Sequence, residues 1–443
     1  MHKTRRAWLK GSGAALATMG LAGCAGQSNQ ETPDETETTS ETDGDTAATD
    51  IAVAAEWNAI RARVWDALAL GYAGETGSGA VVAQNVFERF ENASGDHNAH
   101  ETLEATSESN YAEFEEALGE LRTEGLQAND LERADEETTI ASDQLRAAQR
   151  ARAGDDVAQT LDLQLLGDTL RNAVVLASAG AFDAAATVAS ETKSRFEAAP
   201  VYETIEGTDG DTAERLEAAI DGVVSAAESE DAAAVRSNAN DGFAAAIDGS
   251  YAIAPSEAAA GAGHVATFQT QGWDAAALAN LGGPSTAFAH AAALNGYRLR
   301  VADAAWLFER GQPDAAKRIV ENVFAHFEGA RAHEALEEAS EDAYHQFEHD
   351  GLEALSTAIE TDDAAGVSSA VETINDALVT GIEALGTGVE PALLEAGYFK
   401  ARIEDAYERY QLGENTVAAE TARGLFQTFE ANEANFHETL EET

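Results

Sequence analysis

The chain has 443 residues, 80 of them acidic against 27 basic, for a net charge of −53, while 44% are hydrophobic. Such apolar content excludes a disordered acidic tail, and such negative charge makes nucleic acid and anionic lipid poor partners and cations natural ones. With Cys24 the only cysteine, disulfides, thiolate zinc, iron–sulfur and haem-attachment sites are excluded, as is a blue-copper centre, which needs two His and a Cys. Any metal must then be held by imidazole and carboxylate.

The first element in chain order is a leader. "MHKTRRAWLKGSGAALATMGLAGCAGQ" places Arg5 and Arg6 ahead of Trp8 and Leu9, which resembles a twin-arginine export signal. The apolar run Ala14 to Ala22 is shorter than the roughly 20 residues a membrane span needs. It ends in Leu21-Ala22-Gly23-Cys24, which resembles a lipoprotein processing box, so Cys24 is expected to carry lipid once residues 1–23 are removed. That leader holds four basic and no acidic residues, which leaves a net charge of −57. Residues 24–50, rich in Thr, Ser and acids, are expected to form a disordered tether. The expected location is the extracellular face of the cell membrane, with the lipid as sole anchor. Self-repulsion of this size is tolerable where salt shortens the Debye length to a few Å. With only Lys193, Lys317 and Lys400 left as lysines and Ala filling much of the interior, the balance resembles that of proteins of extremely halophilic archaea.

Apolar residues from residue 51 onward recur at helical spacing, as at Trp57, Ile60, Val64, Ala67 and Leu68, so the fold is expected to be all-α. Four stretches share a pattern. A helix reaches Gly74, Gly180, Gly311 or Gly413, and a second helix ends in Phe-Glu at Phe90-Glu91, Phe196-Glu197, Phe327-Glu328 or Phe429-Glu430. Gly to Glu is 17 residues each time, and a third helix then opens with His or Tyr followed by Glu. Such regularity predicts tandem helical hairpins or bundles, four related units in two halves. "GETGSGA" at residues 74–80 occupies the same turn as "RGQPD" and "LGENT", so a helix cap accounts for it better than a phosphate loop does. The first and third stretches continue alike, with Tyr111-x-x-Phe114-Glu115 and Tyr344-x-x-Phe347-Glu348. The halves span 51–250 and 286–443, joined by a Gly-rich connection at 251–285.

Candidate metal ligands sit where second helices meet third ones. The first stretch offers Glu91, His100, Glu101 and Glu104; the third offers Glu328, His333, Glu334 and Glu337; the fourth offers Glu430, His437, Glu438 and Glu441. His333 and Glu337 are i, i+4 and so neighbours on one helix face, and imidazole with carboxylates suits iron, manganese or zinc. Tyr202 stands at the His position of the second stretch, which makes that site poorer. A structural reading stays open. Acids in a first helical turn are favoured by the helix dipole. Arg63, Arg300 and Arg402 each precede the Phe-Glu carboxylate by 28 residues, which in an antiparallel hairpin sets them level with it as candidate structural ion pairs. His345 and His349 read as solvated, and His264 and His290 have no assigned role. No nucleophile elbow, His-Glu-x-x-His or glycine loop is present, so an enzyme is not expected.

"HFEGARAHEALEEASEDAYHQFEHDGLEAL" resembles the helical extracytoplasmic domains of bacterial iron-permease and imelysin-type iron-uptake proteins, where an aromatic-rich Phe-Glu-x-x-Gly-x-Glu pattern recurs. The whole arrangement resembles a haloarchaeal helical lipoprotein domain of unknown function, often found ahead of a halocyanin-type copper domain. The iron-permease Arg-Glu-x-x-Glu, the imelysin Gly-x-His-x-x-Glu and a copper domain are all lacking here. The resemblances imply capture of a metal ion, iron first, for uptake or hand-over to a transporter or redox partner. The alternative is a surface scaffold with no metal site.

Overall fold

In a computed structural model of the chain, residues 41–93, 97–255, 258–259, 286–385 and 390–431 are described. Every regular element among them is a helix, as the apolar spacing predicts. The chain divides into two compact units with the boundary between Pro284 and Ser285.

The first unit opens with α1 (Glu41–Tyr72), α2 (Thr76–Glu91), the short α3 (Ala99–Thr106) and α4 (Glu108–Glu120). The last runs without a break into a π-helical turn, π1 (Leu121–Leu126), and α5 (Leu131–Ala153) follows. The long members form a four-helix bundle, α1 against α2 and α5, and α4–π1 against α5. A second bundle takes α6 (Asp155–Ser178), α7 (Phe182–Ala198), the short α8 (Pro200–Thr208), α9 (Gly210–Glu228) and α10 (Ala232–Ile253). Here α6 packs on α7 and α10, and α9 closes the bundle against both. Helix α1 begins ten residues inside the segment read as tether, and Asp50 there pairs with Arg152 at 2.9 Å.

The second unit has only helices as regular elements among its described residues. It contains α11 (Thr286–Glu309), α12 (Pro313–Gly329), α13 (Arg331–Ala339), α14 (Glu341–His345), π2 (Gln346–Leu352), α15 (Glu353–Glu360) and α16 (Ala364–Ala384). Helices α14, π2 and α15 act as one long helix, which completes a bundle with α11, α12 and α16. A hairpin of α17 (Glu390–Gln411) and α18 (Asn415–Ala431) follows, with α17 packed on α11.

Small and aliphatic side chains fill the interiors, with a few large anchors fully buried: Trp57, Phe90, Phe114, Tyr297, Phe327 and Phe347. Each such burial stabilises by roughly 1.5–3 kcal/mol. The four glycine turns are built alike. Gly74, Gly180, Gly311 and Gly413 have φ of 78°, 82°, 71° and 85°, a conformation that disfavours any residue with a Cβ. At the first, Gly74 N donates to Gly71 O and Glu75 N to Leu70 O, both at 2.9 Å, which closes the helix C-terminus. "GETGSGA" is therefore a cap followed by the start of α2, and Gly79 lies buried there against the Ala67 carbonyl.

Two buried arginines fasten the first helix of each unit. Arg61 reaches Asn58 Oδ1 (3.1 Å), Ser142 Oγ (3.1 Å), Gln149 Oε1 (2.9 Å) and Asp162 (2.9 Å). Arg298 reaches Asn295 Oδ1 (3.0 Å), Asn375 Oδ1 (2.9 Å) and Glu395 (2.6 Å), and lies 3.9 Å over the Tyr398 ring. Asn58 and Asn295 each donate to a backbone carbonyl about 100 residues away, of Leu161 (3.1 Å) and Leu394 (2.9 Å). Charged groups removed from water this far are tolerated because every arm finds a partner.

Candidate metal centre

The site is built once in each unit. Phe90 lies in the last turn of α2 with its ring buried, which leaves the final residue, Glu91, at the rim of the bundle. Two bonds fix the first turn of α3 beside it. Asn98 caps that turn by accepting from Glu101 N at 2.9 Å, and the buried Trp57 indole donates to the Ala99 carbonyl at 3.0 Å. His100 lies between these anchors. Its ring packs on Phe90 at 5.1 Å and stands edge-on to Tyr111 at 5.0 Å and 82°. Helix α4 presents Tyr111, Phe114 and Glu115 at i, i+3 and i+4, hence on one face, with Phe114 buried against Phe90 at 5.1 Å.

The donor atoms converge. His100 Nε2 is 3.0 Å from Tyr111 Oη and 3.6 Å from Glu91 Oε1, and Glu91, His100 and Glu115 each offer a ligand atom within 4.8 Å of the other two. Burial, then a hydrogen bond with Glu91, raises the pKa of Glu115, since two carboxyls in contact share a proton more readily than they ionise together. The Tyr111 phenol is pushed up to about 12 by burial and by its hydrogen bond to Glu115. A phenol has one proton; given to Glu115, it leaves Tyr111 Oη to accept from the His100 Nε2–H.

The second unit assembles the same set. Phe327 is fully buried, packs on His333 at 4.9 Å and on Phe347 at 4.9 Å, and leaves Glu328 at the rim. His333 stands edge-on to Tyr344 at 5.1 Å and 84°, with its Nε2 3.8 Å from Glu328 Oε1. Glu328, His333 and Glu348 bring ligand atoms within 4.8 Å of one another. A hydrogen bond to Glu348, then burial, raises the pKa of Tyr344. Glu348 is only 8% exposed, and its Oε2 is buried with no hydrogen-bond partner among the described residues. An unsatisfied buried acceptor costs about 1–3 kcal/mol.

Of the sequence candidates, then, Glu91 with His100 and Glu328 with His333 come together. Glu101, Glu104, Glu334 and Glu337 do not join them; all four are exposed. The i, i+4 expectation fails because each imidazole turns toward buried aromatics, while the acids one turn on keep to the water face. The third carboxyl comes instead from Glu115 and Glu348, missed as ligands although the recurring Tyr-x-x-Phe-Glu was visible. Glu430 lies in α18, and His437, Glu438 and Glu441 fall outside the described residues, as do Cys24, Arg5 and Arg6.

The arginine expectation needs correcting. Arg63, Arg300 and Arg402 pair with Asp66 (2.9 Å), Asp303 (3.4 Å) and Asp405 (2.6 Å), three residues on in the same helix, and among the described residues neither Arg63 nor Arg300 pairs with its Phe-Glu carboxyl across the hairpin. A partner one turn away on the same helix restricts a long side chain less than one on a neighbouring helix. Glu91 and Glu328 stay available to the histidines.

The second stretch supplies an internal contrast. Tyr202 stands edge-on to Phe196 at 5.3 Å, where the histidines stand elsewhere, and donates to Glu217 Oε1 at 2.9 Å. Ala213 occupies the Tyr111 and Tyr344 position, so neither the imidazole nor the second phenol is present. The helix differs too. The segments Ser107–Asn129 and Ser340–Asp362 run from a Ser cap to a left-handed residue, and each is one residue longer than Asp209–Glu230, which runs between the corresponding landmarks. The longer two absorb the extra residue as π1 and π2, whereas α9 is an uninterrupted α-helix. One-residue insertions of this kind persist mostly at functional sites, because they cost regular hydrogen bonding.

Bundled helices that bring an imidazole and two carboxyls together, beside a phenol, at each of two places define an all-α protein with two candidate metal centres. The chain belongs to the family described as "Domain of unknown function (DUF5059)", whose profile matches residues 52–443. No curated protein and no solved structure matches it.

Proposed function

We propose that this protein captures a transition-metal ion, iron first, at the Glu91–His100–Glu115 and Glu328–His333–Glu348 clusters. The observation that carries this reading is the buried, unpartnered Oε2 of Glu348 in a cluster whose ligand atoms all lie within 4.8 Å. A cation supplies the missing partner, and the strongly negative chain draws cations to it. Exposure of Glu91 and Glu328 at the rim gives the ion a way in and out, which suits capture and hand-over better than permanent retention. No helix among the described residues is long and apolar enough to cross a membrane. The leader and Cys24 support export and attachment by lipid, so the metal would be taken up at the outer face of the cell membrane and passed to a transporter or redox protein.

The test is metal content and titration of the full chain in molar salt, beside a His100→Ala/His333→Ala variant. High salt suppresses loose cation condensation. Stoichiometric binding that falls by two equivalents in the variant supports capture. Equal binding by both proteins contradicts it and leaves the scaffold reading.

A further inference from the structure

The histidine–carboxyl clusters share a fourth group: a phenol. Tyr111 Oη is 3.0 Å from His100 Nε2, and Tyr344 holds the same edge-on relation to His333. Around a metal with bonds of about 2.0–2.1 Å, adjacent ligand atoms at right angles stand about 2.9 Å apart. The Tyr111–His100 separation already matches such an edge, so an ion on Nε2 is within bonding reach of Oη with little movement.

Resting on the metal-capture reading, we propose that Tyr111 and Tyr344 are metal ligands as phenolates, and that the clusters are built for iron(III). Two carboxylates, a phenolate and one imidazole make a hard, mostly anionic oxygen set of charge −3. Such a set neutralises a trivalent ion and overbinds a divalent one, and no thiolate or second imidazole is present to favour zinc or copper. Binding releases to solvent the phenolic proton and any proton held between the two carboxyls, while the imidazole proton shifts from Nε2 to Nδ1 through solvent and leaves the Nε2 lone pair for the metal. No change of oxidation state is involved.

The second stretch carries the argument further. Where the histidine is Tyr202, that phenol's hydroxyl engages the third carboxyl directly at 2.9 Å, and Ala213 replaces the other phenol. Histidine, second phenol and π-turn are thus present together in two bundles and absent together in the third. A phenol that merely packed against Phe90 or Phe327 would not need to vary with the imidazole.

The experiment titrates the full chain with iron(III), supplied as a weak chelate, and with zinc(II), in molar salt. Visible absorption and bound metal are read for the wild type and for Tyr111→Phe/Tyr344→Phe. Phenolate bound to iron(III) gives a strong visible charge-transfer band, which neither free tyrosine nor carboxylate–imidazole iron shows. The expected result is that band in the wild type and its loss in the variant. Iron(III) affinity should fall by more than the roughly 10–100-fold that losing an outer-sphere partner costs, with a smaller change for zinc. Iron binding without the band, and unchanged by the substitutions, overturns the phenolate assignment while leaving metal capture intact. No metal bound by either protein overturns both. Circular dichroism of the variant shows whether it keeps the helical fold, and Phe retains the ring packing at both positions.

Discussion

Replacing Glu348 by Gln separates a carboxyl kept for a ligand from one kept for structure. The wild-type side chain is 8% exposed, and its Oε2 has no hydrogen-bond partner among the described residues. Leaving such an atom unsatisfied costs about 1–3 kcal/mol. The amide of Gln has nearly the same shape, carries no charge, and can put an N–H donor where the carboxylate has an orphan acceptor. The metal-free Glu348→Gln protein should therefore be more stable than wild type by about 1 kcal/mol, a rise of roughly 2–4 °C in midpoint for a unit of this size. The opposite holds with metal. At a free ion concentration 100 times Kd, binding stabilises the wild type by about 2.7 kcal/mol, and the variant should gain none of this. The assay is scanning calorimetry in molar salt with and without iron(III), in a His100→Ala background so that only the second cluster reports. A variant that is less stable without metal, and shifted by metal as much as wild type, would refute the reasoning and make Glu348 a structural residue.

Arg298→Ala leaves Glu395 buried without its partner and should cost the second unit about 3–5 kcal/mol, read as an early transition in urea unfolding. Tyr202→His frees Glu217 and should add one equivalent of bound metal over wild type, measured by titration; no added equivalent would mean that the π-turn or the second phenol is indispensable. Burial raises Asp168 to about 6, against a partial offset from Arg171. Its folded value thus lies above the unfolded one of 3.8, so the stability tied to its protonation is present below pH 3.8 and lost as pH rises through 6. The first unit's midpoint, free of metal, should fall between pH 5 and pH 7.5 by an amount equivalent to about 1.4 kcal/mol, roughly half of the whole loss that begins near pH 3.8, and Asp168→Asn should flatten that part of the curve. Phe90→Ala removes a fully packed anchor shared by His100 and Phe114, so it should cost about 3–5 kcal/mol and weaken metal binding at the first cluster alone.

The helical class and the turns were legible because they depend on local spacing. A 3.6-residue apolar period and a glycine at each cap suffice, and the four glycines do share one left-handed conformation. The Phe-Glu junctions and His positions could be read for the same reason. The third carboxyl could not, because Glu115 and Glu348 reach the histidines from a different helix, across a packing contact that no single-helix spacing encodes. The arginine pairs were misassigned for a related reason: Arg-x-x-Asp on one helix is a nearer solution than the cross-hairpin pair inferred from level alone. The buried networks around Arg61 and Arg298 had a visible signal, Asn-x-x-Arg at Asn58 and Asn295. Its partners Asp162 and Glu395 lie about 100 residues away and become evident only when the helices are packed.

The central claim is that metal sits between Glu91, His100 and Glu115, and between Glu328, His333 and Glu348. Anomalous diffraction at the iron edge, on crystals of the full chain grown in high salt and loaded with iron(III), tests it most directly. The account predicts one anomalous peak in each cluster, bonded to His Nε2, both carboxyls and the phenol oxygen. Loaded crystals with no peak at either cluster, or with peaks only on scattered surface acids, would contradict it.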